Sequence, residues 1–299
     1  MKVTIENLPL GAQISGLDLR QPMSGRQLGM LRQTIHAHGV VAIRGQDLTP
    51  EEQIGFGRYI GEPEEHVLTH YLLPGYPELL VVSNIVENGR QIGIVDAGGA
   101  WHSDLAYKKR PTYLSMLYAV EVPHREDGTA LGDTSFLSAA FAYDTLPAEL
   151  KQALSGRTSI SSYAARSKKR HAAGSARITP TQQQLDSVKD VEHPVFRQHP
   201  YCDKTCIYVS KVHTTRIAGF DEKASNEYLD QLVAHMVRPE FIYRHSWRKG
   251  DLVIWDNAQT QHIVSFDYAA NQRRRMHRLS LKGTIPWMAE DGKCGANAG

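Results

Sequence analysis

Apolar positions recur along this chain in two patterns, a helical period and the continuous runs typical of buried strands. Leu28, Leu31 and Ile35 fall on one side of a helical stretch that Ser24 caps and Gly39 ends. A second helix begins at Thr49-Pro50-Glu51-Glu52 and stops at Gly61 and Pro63. The threonine caps it, proline suits the first helical position, and Glu52 stands where a capping box needs its carboxylate. Between the two helices, Val40 to Ile43 is a β-branched run that predicts a buried strand. Val3, Ile5 and Ile14 read as short strand material, and Leu79 to Val82 and Tyr113 to Val122 as strands. Ile85 to Trp101 is weakly periodic and predicts a loop. Ser138 caps a short helix and Pro147 starts the next. Ala224, Leu229, Leu232, Val233 and Met236 give Asp221 to Met236 an apolar stripe. Strand-like segments follow at Phe241 to Trp247, Leu252 to Trp255 and Met276 to Leu281.

Strands dominate this order, and no glycine-rich loop joins a strand to a helix as a nucleotide site requires. The pattern predicts a mainly β barrel or double-sheet core with surrounding helices, rather than a doubly wound sheet. Without repeats or an evident linker, residues 1–299 read as a single domain. Gly156 to Pro200 departs from its surroundings, being rich in serine, lysine, arginine, glutamine and histidine. A loop of that length in a compact domain is a lid or an insertion. It holds a further capping-box pattern at Thr179-Pro180-Thr181-Gln182.

Composition narrows the partners. A net charge of +2 does not suit a protein that draws its affinity from many nucleic-acid phosphates. The run Lys168-Lys169-Arg170 reads as a solvated loop face. Cys202, Cys206 and Cys294 are too few and oddly numbered for a disulfide framework, so a reduced, cytoplasmic setting is expected. Met1 to Leu10 has no signal-peptide core, and no apolar run is long enough to cross a bilayer. The expected partner is a small molecule, with neither nucleic acid nor membrane; a homo-oligomer is compatible with this composition.

His102-Ser103-Asp104 introduces chemistry. In an extended segment, residues i and i+2 project from one face, so an imidazole and a carboxylate reach one metal together. His262 is the candidate third ligand. Two histidines and one carboxylate form a facial triad that leaves three coordination positions open. A lone His-x-Asp pair among 14 histidines is easily accidental, and the wider setting decides its meaning.

That setting is Trp101-His102-Ser103-Asp104, Arg110-Pro111, Gly132-Asp133-Thr134 and Ala142-Tyr143, then Gly250-Asp251-Leu252-Val253-Ile254-Trp255-Asp256-Asn257. Gln261-His262, Asp267-Tyr268, Arg273-Arg274 and Met276-His277-Arg278 complete it. From about Leu8 to Pro286 the chain resembles the TauD/TfdA family of iron(II)- and 2-oxoglutarate-dependent dioxygenases. The resemblance implies a double-stranded β-helix, the jelly-roll or cupin-like core, with iron at one mouth. It makes His102, Asp104 and His262 the iron ligands, with Thr134 and Arg274 holding 2-oxoglutarate. Arg278 then meets an anionic group of the substrate, and His213 and Asn84 match substrate-side residues of aryloxyacetate- and sulfonate-cleaving relatives. Asp104 separates this chain from related halogenases, which carry a small residue there. The approach to Asp133, Asp127-Gly128-Thr129-Ala130-Leu131-Gly132, departs from the family's usual compact Gly-Gly-Asp-Thr.

The residues support part of this independently. On a strand Arg274, Met276 and Arg278 face one way, and arginines turned into a barrel imply anionic partners. The implied reaction uses O2 and 2-oxoglutarate to hydroxylate, and where a leaving group is present to cleave, a small anionic substrate such as an aryloxyalkanoate, sulfonate or related carboxylate. Succinate and CO2 are released. Two other readings stay open: a jelly-roll metal- or ligand-binding protein without activity, and a non-oxidative metallohydrolase. A hydrolase has no need of Arg274.

Overall fold

The computed structural model describes residues 2–5, 10–65, 69–172, 181–182, 185 and 188–289. Both predicted capping boxes form. The Ser24 hydroxyl accepts the Gln27 N–H while the Gln27 side chain accepts the Ser24 N–H, starting the helix Gly25–His38. Thr49 and Glu52 repeat the exchange ahead of the helix Pro50–Ile60. Gly39 ends the first helix at φ +68°, a left-handed conformation that glycine adopts without a β-carbon clash.

The strands Val40–Ile43, Leu252–Asp256, Thr112–Glu121, Arg275–Lys282 and Tyr76–Ser83 lie side by side in the largest sheet, antiparallel at each of these joins. Ala12–Ser15 extends it in parallel with Val40–Ile43. Both faces of this sheet are covered, which explains the unbroken apolar runs Leu79 to Val82, Val40 to Ile43 and Leu252 to Trp255 within its strands. On the outer face Val41, Ile43, Leu114, Met116, Leu252, Ile254, Leu279 and Leu281 pack with Leu31, Ile35, Ile54, Phe56 and Ile60 of the two helices. On the inner face Val40, Ala42, Leu117, Ala119, Val253, Trp255 and Met276 meet Phe136 and Tyr243. Full burial of each such side chain stabilises by roughly 1.5–3 kcal/mol.

Phe136 and Tyr243 belong to a second, antiparallel sheet in which Thr134–Ser138 lies between Ile242–His245 and Thr260–Val264. The architecture is thus mixed, with two sheets facing across an apolar core and helices outside. Thr260–Val264 has no strand-like signal in the sequence. Thr260, Gln261 and His262 open this strand with three polar residues, so the usual hydrophobic cue is missing.

Other differences have local causes. The strand expected over Phe241 to Trp247 narrows to Ile242–His245, because Pro239–Phe241 forms a 3₁₀ turn. Within the loop predicted from Ile85, Val86–Glu87 and Arg90–Gln91 form a hairpin across Asn88-Gly89. Both turn residues have positive φ, as a tight Asn-Gly turn requires. The 156–200 segment is far from irregular. It contributes the strand Thr158–Ser161, the helix Tyr163–Ala172, and the strands Val191–Pro194 and Phe196–Gln198. Thr158–Ser161 pairs on its other side with Thr214–Ile217. Strands of three or four residues with sequences such as Thr-Ser-Ile-Ser are too short to declare a period. The basic run Lys168-Lys169-Arg170 sits on the helix rather than on a loop; the two lysines are exposed, whereas Arg170 is partly buried. Of the capping-box pattern at 179–182, Thr179 and Pro180 lie outside the described residues. The helix Glu222–Met236 takes Asp221 as its cap and buries Leu229, Leu232 and Met236. No helix among the described residues is long and apolar enough to cross a membrane.

Candidate active site

His102 and His262 are joined across strands. The His102 N–H donates to the His262 carbonyl at 3.3 Å and the His262 N–H to that of His102 at 2.9 Å. Direct cross-strand partners carry their side chains on one face, and the two imidazole centroids lie 4.2 Å apart. Asp104, two residues on, returns to the same face, with Oδ1 3.8 Å from His102 Nε2. Ser103 points away and donates to the Thr260 carbonyl at 2.8 Å. The chain then turns at Leu105, whose φ of +50° is unfavourable for a residue with a β-carbon. Ligand atoms of His102, Asp104 and His262 all lie within 4.8 Å of one another, and all three side chains are buried.

The surroundings hold these groups in metal-binding form. His102 Nδ1 lies 2.8 Å from the Ala100 carbonyl, which fixes the ring and leaves Nε2 for a metal. Burial pushes the proton affinity of His102 well down and that of His262 to about 4, so both are neutral donors at neutral pH. Burial alone would raise the Asp104 carboxyl, but Arg278 and the two imidazoles outweigh it and hold the group below the usual carboxylate range. Arg278 Nη1 lies 2.8 Å from Asp104 Oδ1, and the Ser115 hydroxyl donates to Oδ2 at 2.7 Å. Asn257 locks this assembly: its Oδ1 accepts the Asp104 N–H at 3.0 Å and Trp255 Nε1–H at 3.2 Å, while its Nδ2 donates to Ser115. Two neutral imidazoles and one ionised carboxylate, buried and positioned from outside, suit divalent iron.

The triad opens into a cavity that Thr134, Arg274 and Arg278 also line. Arg274 is 1% exposed, its Nε has no hydrogen-bond partner, and its Nη2 reaches the Gly132 carbonyl only at 3.4 Å. Burial lowers its proton affinity from the ordinary arginine value. A buried guanidinium so poorly satisfied calls for an anion. Gly132 makes room for it: a β-carbon there would lie 2.8 Å from Arg274 Nε. Thr134 accepts Trp247 Nε1–H at 3.0 Å, which leaves its own hydroxyl proton to donate.

Two other sequence candidates stand behind the cavity wall. Asn84 Oδ1 accepts the Arg274 N–H and Asn84 Nδ2 donates to the Gln272 carbonyl, each at 2.9 Å, so its amide braces the segment that presents Arg274. His213 is buried with its ring 5.2 Å from that of Tyr107, and its Nε2 lies 3.1 Å from Arg166 Nη1. Burial and then Arg166 push its proton affinity well down. Sequence reasoning missed Arg166, Arg170, Tyr107 and Tyr163, which line the cavity. The one available signal was the four-residue spacing of Arg166 and Arg170, obscured by the neighbouring lysines.

Facing sheets that hold two histidines, a carboxylate and a buried arginine in one cavity define a metal-dependent enzyme with an anionic cosubstrate. The chain belongs to the family described as taurine catabolism dioxygenase TauD, TfdA family, whose model matches residues 4–280. It is an iron(II)- and 2-oxoglutarate-dependent dioxygenase. It is 32% identical to pentalenolactone F synthase of Streptomyces arenae, over 97% of this chain and 99% of that protein. It is 29% identical to the alpha-ketoglutarate-dependent 2,4-dichlorophenoxyacetate dioxygenase of Burkholderia sp. strain RASC, over 91% of each. Among solved structures, AAD-2 in complex with Mn(II) and N-oxalylglycine superposes with a TM-score of 0.80 at 28% identity, over 95% of this chain and 99% of that one. A taurine dioxygenase from Burkholderia xenovorans gives 0.78 at 27% identity, over 98% and 92%.

Proposed function

We propose that the protein hydroxylates a small anionic organic substrate, and cleaves it where the new hydroxyl stands beside a leaving group. The observation that carries this reading is the shared cavity: the metal triad and the under-satisfied Arg274 open into the same space. A metallohydrolase would have no use for that arginine, and a decayed binding module would have no reason to keep the triad buried and braced. The relatives named above include one that acts on 2,4-dichlorophenoxyacetate, and an alkylsulfatase of Acinetobacter baylyi is 29% identical over 92% of this chain. Their substrates support an anion here. Two facing sheets with the metal at one end support the double-stranded β-helix, or jelly roll, as the core. The free thiols of Cys202 and Cys206 support a reduced, cytoplasmic setting.

His102, Asp104 and His262 would hold iron(II), which when bound would supply oxygen activation coupled to oxidative decarboxylation of 2-oxoglutarate. In the overall reaction one oxygen atom of O2 enters succinate, the second enters the substrate as hydroxyl, and CO2 leaves. Arg274 would bind the far carboxylate of the cosubstrate, and the Thr134 hydroxyl would donate a hydrogen bond to it. Arg278 keeps Asp104 ionised and oriented, and offers the substrate the donors that Asp104 does not occupy. Asn84 and His213 act from behind the wall, positioning Arg274 and Arg166. The helix Tyr163–Ala172 covers the cavity as a lid and keeps water from the reacting carbon. The test is succinate release from 2-oxoglutarate under oxygen, screened over aryloxyalkanoates, alkyl sulfates, sulfonates and simple carboxylates. At least one class should stimulate succinate in equal amount to oxidised product. No succinate from folded, iron-loaded protein with any class would remove this reading.

A further inference from the structure

A further buried arginine lies outside the metal cavity. Arg197 stands on the strand Phe196–Gln198 and is 3% exposed. Its Nε has no hydrogen-bond partner, and its guanidinium lies 4.6 Å from the centroid of the Tyr208 ring. It lines a small cavity together with Thr112, which opens the strand Thr112–Glu121, and Thr284, just beyond the strand Arg275–Lys282. The Oγ1 atoms of both threonines are buried and likewise without a hydrogen-bond partner. Gly283 lets these segments close around the cavity, since a β-carbon there would lie 2.1 Å from the Pro111 carbonyl oxygen. The space enclosed suits one particle about the size of a water molecule. Among the described residues none lines both this cavity and the metal cavity.

Among the described residues no carboxylate pairs with Arg197. Burial pushes His193 down to about 4, and it pushes up the Cys206 thiol and the hydroxyls of Tyr201 and Tyr208. All four feel the Arg197 charge, and all four are neutral at neutral pH. Asp256 acts on Tyr201 and Cys206 too, but its oxygens are already engaged. Oδ2 meets His199 Nε2 at 2.7 Å and Gln259 Nε2 at 3.1 Å, and Oδ1 accepts the Ala258 N–H at 3.0 Å. A guanidinium taken out of water without a counter-charge is costly.

We propose that Arg197, Thr112 and Thr284 bind a single halide ion, chloride in ordinary salt solution. A guanidinium and two hydroxyls can all donate to one point, a set that suits a small spherical anion. Carboxylates and phosphates are too large for the space, and a water molecule would fit it but leave the charge uncompensated. The ion ties the start of Thr112–Glu121 and the end of Arg275–Lys282 to Phe196–Gln198, so it stabilises the fold at that end of the main sheet. The competing source of negative charge is the chain itself, at Glu290 or Asp291. A carboxylate seated there would leave the protein indifferent to halide.

The melting temperature of the full chain, followed as sodium chloride replaces sodium gluconate at constant sodium concentration, tests this. It should rise by at least about 2 °C and then level off, as binding to the folded state alone requires. Bromide should act as chloride does. Arg197→Met and Thr284→Val should each remove most of the rise. Thr284→Val keeps the side-chain volume and decides the matter if Arg197→Met fails to fold. In crystals grown with sodium bromide, an anomalous bromide peak should lie between Arg197, Thr112 and Thr284. Equal melting in the two salts, a rise undiminished in the folded variants, or bromide at surface positions alone, an adventitious ion only, would each overturn the site. None of these outcomes bears on the dioxygenase reading.

Discussion

Arg278 and Asp104 form a buried ion pair inside the metal site, with Nη1 2.8 Å from Oδ1 and the two side chains 11% and 3% exposed. The other carboxylate oxygen is held by the Ser115 hydroxyl, itself bonded by Asn257. The ligand thus arrives at the metal with its charge and direction set by groups that do not touch the metal. Ser115→Ala removes one donor to Asp104 and one acceptor for Asn257. Metal affinity should fall roughly 10- to 100-fold, the usual cost of losing such a support, with the fold retained. Mn(II) titration followed by electron paramagnetic resonance measures this, and unchanged affinity would show that Ser115 is only packing.

Asp104 and Ser103 are adjacent, yet they face opposite ways. Asp104→Ala should abolish activity and cut metal affinity beyond the Ser115 effect. Ser103→Ala loses one hydrogen bond to the Thr260 carbonyl, worth about 1 kcal/mol of stability, and should leave metal affinity within about twofold. Comparable loss of metal by both variants would contradict the face assignment.

Arg274→Met deletes a buried guanidinium whose expected partner is the cosubstrate. N-oxalylglycine affinity in the Mn(II)-loaded protein should fall roughly 10- to 1000-fold, as for loss of a desolvated bidentate contact. The variant should not lose much stability without ligand, because the wild-type side chain is poorly satisfied there. Calorimetry and a thermal melt on the same samples read both effects; a stability loss larger than the affinity loss would make Arg274 a structural residue.

Three histidines outside the metal triad, His36, His193 and His277, are pushed down to about 4, in each case chiefly by burial. In the unfolded chain they titrate near 6.5, so between about pH 6.5 and 4 the unfolded state binds more protons. Their contribution is therefore present above about pH 6.5 and lost as pH falls towards 4. Stability should fall steadily over that window, by at most a few kcal/mol for each group, and the melting temperature with it. His193→Gln, which can keep a donor for the Lys108 carbonyl that His193 Nε2 meets at 3.0 Å, should flatten the decline. A melting temperature constant from pH 6.5 to 4.5 would contradict the shifts.

Local chemistry was legible in the chain itself. Ser24, Thr49 and Asp221 announce helix starts because capping is settled within four residues. Val40 to Ile43 and Leu252 to Trp255 read as strands because both faces of their sheet are covered and each of these positions is apolar. The metal ligands could be named from His-x-Asp, a later histidine and their setting, since i and i+2 share a face whatever surrounds them. Tertiary structure decided the rest, because it brings together residues whose spacing carries no signal. The His102–His262 bridge spans 160 positions, and no local period could place Thr260–Val264, whose first three residues are polar. The Asn84 amide is bonded to the 272–274 backbone, a contact that its place in the sequence does not announce. Arg170 looked like one more charge in a solvated run. Only the packing of its helix over the cavity turns that side chain inward while Lys168 and Lys169 stay in water, because a helix rotates its faces by about 100° per residue.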